Sequence, residues 1–67
     1  MIHLWVNGEQ KTIPSELNMT QFLEHIGTSP RLVAVEYNGE ILHRQNWVHT
    51  KIQEGDRLEI VTIVGGG

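Results

Sequence analysis

The chain has 67 residues, no cysteine and a formal net charge of −3. This length allows one small domain, which has little room for a deep substrate cavity beside its core. The lack of cysteine excludes disulfides and thiolate metal sites, and five Lys and Arg residues are too few for a nucleic-acid-binding face. No run approaches the roughly 20 apolar residues of a membrane span, and the N-terminus lacks the regions of a signal peptide. We therefore expect a cytoplasmic protein with no nucleic-acid or membrane partner.

The N-terminal segment has the pattern of a β-hairpin. Apolar side chains at alternate positions of residues 2–6 predict a strand with one apolar face. Asn7-Gly8 is typical of a two-residue turn, since both positions tolerate positive φ. The return strand covers residues 9–13, and Pro14 ends its pairing because proline has no N–H group.

Residues 18–27 have the signals of one short amphipathic helix. Asn18 is a favourable N-cap, and Gln21 stands three residues later, as in a capping box. Gly27 can adopt the left-handed conformation that ends a helix. The apolar side chains share one face, which should pack on a sheet: Met19, Phe22, Leu23 and Ile26.

The second half of the chain predicts a second hairpin and a final strand. A strand over residues 32–37 turns at Asn38-Gly39 and returns over residues 40–42. The segment that follows is irregular or forms a single turn, with Trp47 inserted beneath it, and residues 57–64 form the last strand. The order ββαβ(β)β predicts an α+β domain over residues 1–64, a mixed sheet of four to five strands with one main helix on one face. In such a sheet the first and last strands can lie side by side in the centre.

Three glycines, Gly65, Gly66 and Gly67, follow the last strand without a polar spacer. Glycine has no side chain to pack and maximal backbone freedom, so we expect a flexible tail. A frayed end is one interpretation. The lack of a spacer favours another, in which Gly65 and Gly66 thread a narrow channel of a partner enzyme and present the carboxylate of Gly67. A carboxylate becomes an acyl donor once ATP adenylates it, and a sulfur or nitrogen nucleophile can then attack the acyl-AMP.

Three internal segments are distinctive together with the glycine end: residues 38–41 (NGEI), 44–47 (RQNW) and 55–60 (GDRLEI). In these segments the chain resembles the ThiS family, the sulfur carriers of thiamin (thiazole) biosynthesis among the ubiquitin-like proteins. The resemblance covers the whole chain. His43 stands where the family often has proline, and the tail has three glycines rather than the minimal two.

The resemblance implies a β-grasp fold and a protein that is a co-substrate of enzymes rather than an enzyme. A ThiF-like enzyme would adenylate Gly67 with ATP and Mg²⁺, and sulfur from a cysteine desulfurase would convert the adenylate to a thiocarboxylate. A ThiG-like thiazole synthase would then take the sulfur, and the carrier itself would bind no cofactor. Three alternatives remain: a carrier for another pathway (molybdopterin, cysteine or tungsten cofactor), a protein modifier that forms isopeptide bonds through Gly67, and an interaction domain with an inert tail.

The predicted sheet also suggests a docking surface. If the first and last strands are neighbours, Trp5 lies near Val61 and Ile63 on the face away from the helix, and Ala34 adjoins them. Contiguous apolar patches on a solvent face usually mark partner surfaces, and tryptophan is enriched among interface anchors. We expect these residues to dock the adenylating enzyme and the synthase at separate times. The alternative is that Trp5 covers the sheet edge or contacts a second copy.

The titratable residues form no catalytic or metal-binding pattern. The four histidines are scattered, and no pair has the spacing of ligands on a shared helix face. We therefore predict no metal site. No Ser, His and Asp set has a catalytic spacing either.

Overall fold

The computed structural model, which describes residues 1–63, is a five-stranded mixed sheet with α-helix α1 (Met19–His25) packed across one face. The strands are β1 (Ile2–Val6), β2 (Glu9–Ile13), β3 (Val33–Tyr37), β4 (Glu40–Leu42) and β5 (Arg57–Thr62). Short 3₁₀ helices at Pro30–Leu32 and Arg44–His49 connect them. The sheet order is β2-β1-β5-β3-β4, with β1 and β5 parallel at the centre. The predicted α+β class and the central pairing of the first and last strands are confirmed.

Both hairpins turn at their Asn-Gly dipeptides, as predicted. Asn7 and Asn38 have φ of 51° and 52°, in the left-handed region that asparagine tolerates better than most residues. In the first hairpin β1 pairs antiparallel with β2, and in the second β3 pairs antiparallel with β4. A tight turn determines the register of its two strands, and the register decides which side chains face the core.

Helix α1 begins at the predicted capping box. The backbone N–H of Gln21 donates to Oδ1 of Asn18 at 2.8 Å, and the backbone N–H of Asn18 donates to Oε1 of Gln21 at 2.9 Å. These bonds satisfy two N–H groups that a helix start leaves without partners. The helix buries the predicted face, fully at Met19, Phe22 and Leu23 and partly at its C-cap, Ile26.

The hydrophobic core lies between α1 and the inner face of the sheet. Trp47, in the second 3₁₀ helix, is 3% exposed and closes one end of this core. Its indole Nε1 donates to the carbonyl of Leu42 at 3.0 Å, and the guanidinium of Arg44 lies 4.9 Å from its ring centroid. The predicted insertion of Trp47 is confirmed. The other core residues are Leu4, Val6, Ile13, Met19, Phe22, Leu23, Val33, Val35, Ile52 and Leu58.

The last strand is shorter than predicted in the described part of the chain. β5 ends at Thr62, although the N–H of Ile63 still donates to the carbonyl of Leu32 at 2.7 Å. The predicted end of the domain at Val64 lies outside the described residues. The predicted tail, Gly65 to Gly67, also lies outside them. Within residues 1–63 there is no helix long and apolar enough to cross a membrane.

Candidate functional site

β5 is the last strand before residue 64, and its neighbours differ along its length. β5 is parallel to β1 through Trp5↔Arg57 and Val6↔Leu58, and antiparallel to β3 from Tyr37↔Leu58 to Val33↔Thr62. Because β1 ends opposite Leu58, the last residues of β5 have a strand partner on the β3 side only. Beyond Leu58 the β1 side of β5 is therefore open to hydrogen bonds from side chains.

The side chain of Asn7 holds β5 where β1 stops. Its Oδ1 accepts from the backbone N–H of Ile60 at 2.7 Å, and its Nδ2 donates to the carbonyl of Ile60 at 3.1 Å. The amide thus takes the place of the two hydrogen bonds that a longer parallel β1 would supply to Ile60. The sequence marks Asn7 as a turn residue, and no local pattern indicates this second role.

Asp56 lies directly before β5 and braces the beginning of that strand. It is the one buried polar or charged residue in the described part of the chain, at 8% exposure. Its Oδ2 accepts from the Tyr37 hydroxyl at 2.6 Å and from the Gln53 N–H at 2.8 Å, and its Oδ1 accepts from Nδ2 of Asn38 at 3.2 Å. Burial, the hydrogen bond to Asp56 and the charge of Asp56 together raise the pKa of Tyr37 to about 12. The sequence indicates only a turn at Asp56. Of the groups that bond to its carboxylate, only the backbone N–H of Gln53 is nearby in the sequence, and the Tyr37 and Asn38 side chains belong to the distant second hairpin.

The predicted docking residues do not form one patch. Ala34 and Val61 are directly paired across β3 and β5, whereas Trp5 is paired with Arg57. Arg57 lies four residues before Val61, a separation of about 13 Å along a strand. The prediction that Trp5 lies near Val61 and Ile63 is therefore wrong. The parallel pairing of β1 with the beginning of β5 places Trp5 at the opposite end of that strand from Val61.

Trp5 occupies its own position on the outer face of the sheet. Its side chain is 38% exposed, and the guanidinium of Arg57 lies 5.9 Å from its ring centroid. Part of the indole face is therefore covered by a cation of the same sheet, an attractive arrangement for an aromatic ring. Trp5 and the Ala34–Val61 pair are two separate features of this face.

Ala34 and Val61 line a shallow depression at the other end of the outer face, with a volume of about 190 Å³. Ile41, on the neighbouring strand β4, is its most exposed apolar side chain, and Glu36 and Glu59 also line it. Ile63, which follows Val61 along the chain, is also exposed. The depression is open to a protruding group of a partner, and the predicted tail begins just beyond it in the chain.

The histidines do not converge in the described residues. Nδ1 of His3 lies 3.2 Å from Oε2 of Glu54, and the backbone N–H of His3 donates to Oε1 of Glu54 at 2.9 Å. The backbone hydrogen bond is the main cause of a lowered pKa of Glu54. Across residues 1–63 no three His, Cys, Asp or Glu side chains gather as metal ligands would. The absence of a metal site stays a prediction.

Solved structures contain close relatives of this fold. The crystal structure of the thiamine biosynthesis protein ThiS from Geobacter metallireducens matches with a TM-score of 0.85 and 35% sequence identity. The match covers 98% of this chain and 100% of that protein. The five-stranded sheet with its single packed helix, in the part of the chain that the structure describes, is thus the predicted β-grasp fold.

Sequence relatives are of two lengths. A thiazole synthase of Paramagnetospirillum magneticum is 36% identical over 64 residues, which are 96% of this chain but 20% of the synthase. The uncharacterized protein ycf40 of Trieres chinensis is 35% identical over 63 residues, 94% of this chain and 86% of that protein. This chain therefore spans about a fifth of the synthase and most of the short relative. The ThiS family model matches residues 4–67, and the chain belongs to the ThiS family.

Proposed function

We propose that this chain is a sulfur carrier of thiamin biosynthesis, a protein substrate of other enzymes rather than an enzyme. The observation that carries the proposal is the family match, which extends through residue 67 and so includes all three terminal glycines. The structure adds support, because side chains of Asn7 and Asp56 brace β5, the strand that precedes those glycines in the chain.

The proposed reacting group is the carboxylate of Gly67. A ThiF-like enzyme, which binds the ATP and Mg²⁺, forms the acyl-adenylate and releases pyrophosphate. A persulfide sulfur, originally from cysteine through a cysteine desulfurase, attacks the acyl carbon and displaces AMP. Reduction of the sulfur–sulfur bond by a thiol leaves a thiocarboxylate on the carrier, which binds no cofactor of its own. A ThiG-like thiazole synthase then accepts the sulfur.

Gly65 and Gly66 provide the slender approach to the enzyme. A backbone without side chains can pass through a channel that is too narrow for a residue with a Cβ atom. Because the adenylating enzyme and the synthase must both reach the same acyl carbon, the complexes form one after the other and are transient.

The mass of the intact protein tests this function. After incubation with a ThiF-like enzyme, ATP, Mg²⁺, a cysteine desulfurase, cysteine and a thiol reductant, we expect a shift equal to the replacement of one oxygen by one sulfur. Fragmentation should locate the shift at Gly67. A reaction without ATP is the control and should leave the mass unchanged. No shift, with an adenylating enzyme that is active on another carrier, would contradict the proposal.

The outer face is the proposed docking surface for both partners, with two separate contacts. Ala34, Val61 and Ile63 form the contact beside the tail, and Trp5 forms a contact at the far end of β5. Apolar side chains that remain exposed on a sheet face support this assignment. Its division into two parts means that each contact can be tested alone.

Trp5→Ala is expected to weaken binding to the adenylating enzyme and to the synthase about tenfold each, because buried tryptophans commonly contribute more than about 1 kcal/mol to an interface. Titration calorimetry with each partner measures the effect. Val48→Ala, which truncates a more exposed apolar side chain on the second 3₁₀ helix, is the control. A folded Trp5→Ala protein with unchanged affinity for both partners would exclude Trp5 from docking.

A further inference from the structure

Two glutamates stand directly opposite each other on the outer face of the sheet. Glu36 of β3 is the register partner of Glu59 of β5. The backbone N–H of Ile63 donates to the carbonyl of Leu32, and the backbone N–H of Asn38 donates to the carbonyl of Arg57. In an antiparallel ladder every second residue pair is hydrogen-bonded in this way, so the pair between them in the register, Glu36 and Glu59, is also hydrogen-bonded, with Cα atoms about 5.5 Å apart. Like charges directly opposite destabilise a sheet.

Neither carboxylate forms a salt bridge within residues 1–63, where the ion pairs involve Glu54 and Glu16 instead. The basic residue two positions before Glu59 is Arg57, whose guanidinium lies over the Trp5 ring. Within the described residues the two carboxylates therefore have no ion-pair partner.

Glu36 and Glu59 are exposed, and their carboxylates border an apolar depression. Ala34, Ile41 and Val61 line the same depression as Glu36 and Glu59. A partner that covers these apolar side chains would exclude water from the carboxylates. An ion pair formed there would be stronger than one on an open surface, because the effective dielectric constant falls.

We propose that this surface, the Glu36–Glu59 depression, receives a lysine or arginine that a thiazole synthase presents among apolar side chains. The proposal rests on the proposed function and names the partner of the same carrier. Charge complementarity defines the chemistry of the occupant, since a cation between the two carboxylates removes their mutual repulsion. An arginine has the better geometry, because its planar group can bond to both carboxylates.

Position and relatives indicate the synthase as the occupant. β5 lines the depression and precedes the glycines in the chain, so a partner seated here contacts the strand to which the reacting end is joined. In the thiazole synthase of Paramagnetospirillum magneticum, a segment similar to this chain forms a fifth of one polypeptide. A carrier-like segment and a synthase are thus found together in one protein.

The double variant Glu36→Gln, Glu59→Gln tests the proposal. Glutamine retains the shape of each side chain and removes its charge. We expect binding to a thiazole synthase to weaken about tenfold at low ionic strength, and the difference to shrink as salt is added. The denaturant midpoint of the free carrier should be unchanged or higher, because the repulsion is gone. A merely structural role of the glutamates would instead lower that midpoint.

A matched control makes the same change in net charge elsewhere. Glu24→Gln, Glu40→Gln neutralises two exposed glutamates, one on α1 and one on β4, that do not line the depression. This control should bind the synthase within about twofold of the unmodified chain. Equal losses in the two double variants would show a general charge effect and overturn the proposal.

The outcomes separate this inference from the proposed function. A chain that gains sulfur, but whose double variant binds the synthase as tightly as the unmodified chain, overturns only the role of Glu36 and Glu59. A chain that gains no sulfur, yet binds a synthase through these two residues, overturns only the carrier function. No binding of the unmodified chain to a synthase that accepts sulfur from another carrier would overturn the choice of partner.

Discussion

A variant that lacks Gly66 and Gly67 is expected to gain sulfur at least 100-fold more slowly than the full chain. Two residues span about 7 Å of extended backbone, and a misplacement of about 1 Å in a reacting group can slow a reaction by about 10²-fold. The intact-mass assay at several reaction times measures the rate. The expected loss is large because the proposed chemistry takes place at one carboxyl group.

Removal of one glycine is the matched control for this deletion. The shortened chain keeps a terminal glycine pair and loses about 3.5 Å of reach, so its rate should fall between those of the full chain and the larger deletion. Both deletions leave residues 1–63 intact, and the unfolding midpoint should not change. Sulfur gain at the full rate after loss of Gly66 and Gly67 would contradict the assignment of the reacting end.

Asp56→Asn is expected to lower the free energy of unfolding by about 3 kcal/mol, since hydrogen bonds to a charged group contribute about 1.5 to 3 kcal/mol and a buried donor without a partner is costly. Donors reach both oxygens of Asp56, from Tyr37 and Gln53 at one and from Asn38 at the other. An asparagine has one oxygen, so its NH₂ group must face a donor. For a domain of this length the whole free energy of unfolding is roughly 3 to 10 kcal/mol. Urea unfolding measures the change.

The same variant should alter the titration of Tyr37, the only tyrosine in the sequence. Its pKa of about 12 in the folded protein exceeds the ordinary value of 10.0. The folded state holds the proton more tightly, so this contribution to stability is complete below pH 10 and is lost as the pH rises from 10 through about 12. In Asp56→Asn the pKa should fall, because the charge of Asp56 is gone while burial remains.

Phenolate absorbance against pH follows this titration directly, with no other tyrosine to interfere. Glu24→Gln removes an exposed carboxylate on α1 and is the control for a general loss of charge. An unchanged Tyr37 pKa in the folded Asp56→Asn protein, or a loss of stability no larger than in Glu24→Gln, would contradict the role assigned to Asp56.

The hairpins and the helix could be predicted because their determinants are adjacent in the sequence. Asn7-Gly8 and Asn38-Gly39 supply the positive φ values of their turns within two residues. Asn18 and Gln21, which cap the start of the helix, are three positions apart. Local interactions of this kind need no knowledge of the rest of the chain, and the structure confirms each of them.

The docking surface could be predicted only in part, because it depends on the register between distant strands. The alternation of residues 2–6 and 57–62 indicates that Trp5 and Val61 lie on the same face. It does not indicate how far β1 runs along β5. The parallel pairing Trp5↔Arg57 decides that distance and separates the two residues. The pairing of Glu36 with Glu59 was beyond prediction for the same reason.

The order of elements, the apolar faces and the family resemblance follow from residue types at short spacing, so they can be inferred from the sequence. Which side chains meet around β5 depends on how the sheet assembles and is visible only in the folded protein. Asn7 bonds to Ile60, which is 53 positions away in the sequence. Asp56 bonds to Tyr37, which is 19 positions away. Such contacts form when the sheet assembles, since packing of the whole core fixes the register of its central strands.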